Sequence, residues 1–178
     1  MNVRIRSSWI AGVACVMAIV PIAMGFPDGA PADTCVKSRT NEPNHGAART
    51  QSQASLPYQV TASGNAYGPG TQIQVTIDGR QDVFRGFFLQ ARDAQTNEWI
   101  GSWYETPNTK TIPECSSVTH ADNRDKQQAT FVWQAPRDRQ GQVYFTGTIV
   151  KNYGTFWSSV IAAVPQTPLQ LQLLQQVF

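Results

Sequence analysis

Ile73-Gln-Val-Thr-Ile77 alternates strictly between apolar and polar side chains, two residues after Tyr67-Gly-Pro-Gly70. A period of two is the signature of a strand with one buried face. Proline fixes φ and glycine reaches positive φ, so Pro69-Gly70 is read as a tight turn feeding that strand. The pattern recurs. Tyr58, Val60 and Ala62 alternate with Gln59, Thr61 and Ser63. Ala129, Phe131 and Trp133 share one parity, and so do Val143, Phe145, Gly147 and Ile149. Phe84 to Ala91 is apolar at both parities and is predicted to be a central strand. Asp78-Gly79 marks a reversal. No helical period is sustained after the first 25 residues, and no internal repeat is present. Short strands with frequent turn signals predict an all-β, immunoglobulin-like antiparallel β-sandwich.

Several segments are read less directly. Residues 26–56 carry Pro27, Pro31 and Pro43 without periodicity and are expected to be irregular. Trp99 to Tyr104 is predicted to form a strand, with Trp99 and Trp103 on one face and Tyr104 on the other. Thr106 to Ser117 is expected to be loop, because Pro107 and Pro113 interrupt any ladder. Leu169, Leu171 and Leu173 alternate with Gln170 and Gln172, so residues 166–178 are expected to form a final edge strand or tail.

Residues 1–25 read as a secretory signal. Arg4 and Arg6 precede an apolar run from Trp9 to Val20, and Ala23 and Gly25 place small residues before a cut at Phe26. The run is short for a membrane span and Pro21 breaks it. Residues 26–165 then form a single domain, expected in the extracellular space. Without Arg4 and Arg6 the chain's formal charge of +2 disappears. A neutral chain with no cationic cluster argues against nucleic acid binding. Of three cysteines, Cys15 belongs to the signal. Cys35 and Cys115 remain as a pair for an oxidising compartment, and one disulfide between them is predicted.

Sites of chemistry are sparse. There is no Gly-x-Ser-x-Gly elbow. Neither His45 nor His120 has a triad context, and Glu98 and Glu105 could form a glycosidase pair only by a favourable fold. No catalytic residue and no cofactor are expected. The histidines follow the two cysteines and could approach each other if the disulfide forms. They are weak metal candidates, because Asp122 or Asp125 would have to complete a ligand set. Trp99 and Tyr104 are the aromatics least certain to be core. Exposed rings stack on sugars, and Arg85, Arg92 and Lys151 could add contacts to anionic glycans.

A further set of motifs occurs in a fixed order. Phe26-Pro-Asp-Gly-Ala-Pro31 leads to Cys35, then Pro43-Asn-His-Gly46 and Pro57-Tyr58. Cys115 precedes Val118-Thr-His120. Phe131-Val-Trp-Gln-Ala-Pro136, Gly141-Gln-Val-Tyr-Phe145 and Phe156-Trp157 follow. Together with the turn at Tyr67 and the strand at Phe84, this order resembles the reeler domain, an extracellular β-sandwich module. The resemblance implies binding or adhesion rather than catalysis. Reeler domains occur in matrix proteins, in membrane ferric reductases and in small secreted defence proteins of invertebrates. A signal plus one such domain is similar to the last group. It implies a secreted innate-immunity protein whose partners are microbial cell-surface glycans or lipoglycans. The alternatives are an adhesion module for host protein or glycan, and a metal- or haem-handling accessory protein.

Overall fold

A computed structural model describes residues 26–39, 41–79 and 81–165. The predicted signal and the predicted strand around Leu169 to Leu173 lie outside them.

Among the described residues ten strands form two antiparallel sheets. In the first, β1 (Gln59–Ala62), β3 (Gln72–Asp78), β8 (Gln128–Gln134) and β5 (Ser102–Trp103) lie in that order. The second has the order β10 (Thr155–Ile161), β9 (Gly141–Asn152), β4 (Gly86–Asp93), β7 (Ser117–His120) and β6 (Thr109–Ile112). The short β2 (Ala66–Tyr67) pairs with the start of β9.

The alternating strands bury the faces the sequence assigns to the core. Val60, Ile73, Val75, Ile77, Phe131, Trp133, Val143, Phe145 and Ile149 are all buried between the sheets. Aromatic rings fill the centre. Phe87 packs on Phe131 at 4.6 Å, and Phe145 contacts both Trp103 and Trp133 at 5.5 and 5.6 Å. The buried indole N–H groups find acceptors: Trp133 the Ile100 carbonyl and Trp103 the Ser116 carbonyl, both at 2.8 Å, and Trp157 the Ser55 hydroxyl at 3.1 Å. That pairing removes the penalty of a buried unpaired donor.

The apolar character of β4 on both faces has a specific cause. Phe87, Leu89 and Ala91 face the core, while Phe88 and Gln90 on the opposite face are also buried. The irregular segment from Phe26 to Leu56 covers that outer face. The Cys35–Cys115 disulfide, closing 80 residues, ties it down beside Phe88 and Ile112. Hydrogen bonds complete the attachment: Ala30 N–H to Thr119 Oγ1, Thr148 Oγ1 to the Asn41 carbonyl, and Asn41 Nδ2 to Gln90 Oε1.

Two expectations are corrected. Thr106 to Ser117 is not all loop, since β6 lies within it and pairs with β7. The prolines flank the Thr-Lys-Thr-Ile run rather than interrupt it, and β6 is an edge strand, where they are tolerated. Trp99 to Tyr104 is not one continuous strand. Only Ser102–Trp103 is paired in the first sheet, and Trp99 instead bridges Arg92 of the second. Gly101 stands between them at φ +70°, where a Cβ would meet Trp133 Nε1 at 2.4 Å. This left-handed residue breaks the alternation, so Trp99 is exposed while Trp103 is buried.

Candidate functional site

The five residues singled out for ligand contact occupy three places. Arg92 and Trp99 form one pair, with the guanidinium carbon 5.5 Å from the ring centroid, a cation–π arrangement. Arg92 also donates to Gln90 Oε1 and, at 2.8 Å, to the Asn97 carbonyl, so the pair is held in place. Arg85 and Lys151 lie at the opposite end of β4. Arg85 is ion-paired with Asp125 at 2.7 Å, and Lys151 with Asp82. Seven residues of extended chain separate Arg85 from Arg92, about 23 Å. Tyr104 belongs to neither group. Its ring is 45% exposed and its hydroxyl accepts from Gln72 Nε2 at 3.0 Å on the outer face of the first sheet. All three cations therefore have intramolecular partners. An anionic ligand would have to compete with them.

The outer face beneath Tyr104 is unusual in composition. Asp78 is the one charged residue in β1, β3, β8 and β5. The register lines up Thr61, Thr76 and Thr130 in one row across the strands, and Gln72, Gln134 and Ser102 in another. Thr76 and Thr130 share a hydrogen bond between their hydroxyls at 3.0 Å. Successive groups along each row stand about 4.8 Å apart, the interstrand spacing. Alternation in the sequence shows that these residues point outward. Only the register shows that like groups fall side by side.

The structure brings the two histidines to one cavity, between the N-terminal segment and the second sheet. His45 stacks on Tyr153 at 4.5 Å. His120 lies over Gly86, and its Nδ1 is 3.2 Å from the Phe87 amide. Burial pushes both imidazoles below their ordinary pKa. The carboxylates that would complete a metal site are engaged elsewhere. Asp122 holds Arg124 and Lys126, which keep its carboxyl well below the usual range, and Asp125 holds Arg85. Among the described residues no group of three or more His, Cys, Asp or Glu side chains could hold a metal ion. Glu98 and Glu105 bond to Thr96 and Thr111 respectively.

The Reeler domain family matches residues 35–171. The chain belongs to the reeler family. "Putative defense protein 3" of the moth Antheraea mylitta is 36% identical over 165 residues, covering 89% of this chain and 94% of that protein. "Putative ferric-chelate reductase 1 homolog" of Drosophila melanogaster is 30% identical, covering 96% of this chain but 28% of the larger protein. The crystal structure of the human F-spondin reeler domain superimposes with a TM-score of 0.51 at 21% identity. That match spans 69% of this chain and 95% of the other, and it shows a shared fold.

Proposed function

We propose that this reeler protein is a secreted, non-catalytic recognition molecule of defence that binds polymers of microbial surfaces. The names of its full-length moth relatives support the defence setting. One geometric observation carries the binding reading: the nearly charge-free outer face of the first sheet, bordered by exposed Tyr104. Amide and hydroxyl groups match the hydroxyls of a sugar chain and can exchange hydrogen bonds with it. No ion has to be stripped of water on docking, a step that is otherwise expensive. Tyr104 supplies an apolar ring with a polar tip, suited to a sugar face.

The test is a pull-down of the protein, produced from the full sequence in an oxidising host, on whole bacteria, yeast and purified wall polymers, with host matrix glycans as controls. Saturable binding to microbial polymers supports the reading, and binding to host glycans alone overturns it. Tyr104→Ala and Thr130→Lys, which places a charge in the hydroxyl row, should each weaken binding severalfold. If Trp99→Ala weakens binding and those two do not, the contact lies on the Arg92–Trp99 pair instead.

A further inference from the structure

The cavity that holds both histidines has a volume of about 270 Å³. That is just below the range of about 300–1,000 Å³ that takes drug-sized ligands, so it fits one sugar ring rather than a chain. Its walls come from separate parts of the sequence that are fastened together. Pro27 and Pro31 belong to the segment held by the Cys35–Cys115 disulfide, while Phe88 and Val150 belong to the second sheet. Gly86 makes room for the His120 ring in the wall, because a Cβ there would meet that ring at 3.0 Å. This is a preformed hollow.

Its chemistry is selective. Among the described residues no Asp or Glu lines it to neutralise an amine. Arg85 on its wall is ion-paired with Asp125, so an acidic sugar would have to compete with that carboxylate. Among the described residues, two on the lining carry a buried side-chain atom without a hydrogen-bond partner, Asn41 Oδ1 and His45 Nδ1. Asn41 Oδ1 is an acceptor by nature. A neutral imidazole carries one donor and one acceptor nitrogen, and burial disfavours the charged form, so one of the two tautomers of His45 presents Nδ1 as an acceptor too. Unpaired buried acceptors are rare in folded proteins and call for a donor. The remaining walls are largely apolar, and Tyr153 is 41% exposed beside His45.

We propose that the cavity binds a single N-acetylated hexosamine unit through its neutral acetamido group. The methyl group packs against Phe88 and Val150, the amide N–H supplies the missing donor, and the sugar ring lies against Tyr153. The unsubstituted amino sugar would bring an unpaired ammonium into the cavity. A plain hexose would bring neither the methyl nor the N–H. This inference rests on the reading that the protein binds microbial polymers and names one chemical group among them.

The experiment is calorimetric titration of the protein from the full sequence with three soluble trisaccharides: N-acetylglucosamine trimer, its deacetylated form and a neutral glucose trimer. Saturable binding of the acetylated trimer alone is expected. His45→Phe keeps the ring stack and removes the acceptor, and should weaken binding about tenfold. Val150→Phe fills the hollow and should abolish binding in a variant whose melting shows it folded. Equal binding of the three sugars, or wild-type affinity in either folded variant, overturns the proposal. If the acetylated trimer fails to bind while microbial polymers are still retained in the pull-down, the cavity assignment falls and the proposed function stands. If neither binds, both fall.

Discussion

Replacing both Cys35 and Cys115 by Ala tests the central structural argument. Both side chains are nearly inaccessible to solvent, and the bond closes 80 residues. Loop-closure entropy for that length amounts to about 4–5 kcal/mol, all of it acting on the unfolded chain. Domains of this kind have about 5–15 kcal/mol of net stability, so the loss is a large share of the whole. It corresponds to a fall of about 10–20 °C in Tm for a chain of this size. Urea unfolding followed by tryptophan fluorescence measures it. The m-value should rise, because the unfolded chain without its crosslink exposes more surface. Hydrogen exchange adds a spatial test. The Ala30 and Asn41 amides, which bond Thr119 Oγ1 and the Thr34 carbonyl, should lose protection first, while the amides of β3 keep theirs. A loss below about 1 kcal/mol would refute the entropic argument. Uniform loss of protection would refute the view that the bond fastens a segment onto an otherwise intact sandwich.

Three further outcomes follow. Phe131→Ala, at a ring 2% exposed and packed between Phe87 and Trp103, should destabilise by about 3–5 kcal/mol in the same urea assay; a loss under 1 kcal/mol would contradict the packing described. Gly101→Ala should destabilise by more than the roughly 1–2 kcal/mol of a left-handed residue alone, because its Cβ also meets Trp133; near-neutral stability would show that the turn relaxes freely. Both histidines have folded pKa values lowered by burial, so between 6.5 and those lowered values the unfolded chain binds more protons. Stability should therefore fall as pH drops below about 6.5, before the carboxylates titrate, and a urea midpoint that rises between pH 7.5 and 5.5 would reverse that sign.

The strands that alternate cleanly were legible because burial on one face writes a period of two into the chain. Val75 and Phe131 could be placed in a core from their neighbours alone. The disulfide was legible from cysteine count and compartment. Two things were not. Gly101 breaks a pattern that would otherwise put Trp99 and Trp103 on one face, and a lone glycine does not announce its φ. The N-terminal segment has no period because it lies across a sheet rather than within one. Its contacts with Phe88, Gln90 and Thr148 join residues many positions apart. The five exposed or cationic candidates were chosen by type, and type does not reveal that Arg85 and Lys151 already have partners. The approach of the two histidines was legible from the cysteines beside them, but the cavity was not, because Asn41 and His45 belong to a segment without period whose path over the sheet no pattern gives.

The two proposed surfaces lie on opposite sides of the sandwich, which bears on mechanism. The Gln/Thr face is the outer side of the first sheet, while the cavity opens between the second sheet and the segment covering it. A single chain that uses both is bivalent without forming an oligomer. It can hold the flank of one polymer and an acetylated sugar of another, so cells should agglutinate at concentrations where the protein is monomeric. Each arm alone then binds but does not crosslink. Tyr104→Ala and His45→Phe should each abolish agglutination at the lowest protein concentration at which the wild type agglutinates yeast or bacteria, while each variant still binds through its intact side. Light scattering of cell suspensions reads the first effect and the pull-down reads the second. Agglutination that survives both single substitutions, or that appears only where sedimentation shows dimers, would place the second valence in self-association and not in the two faces of one sandwich.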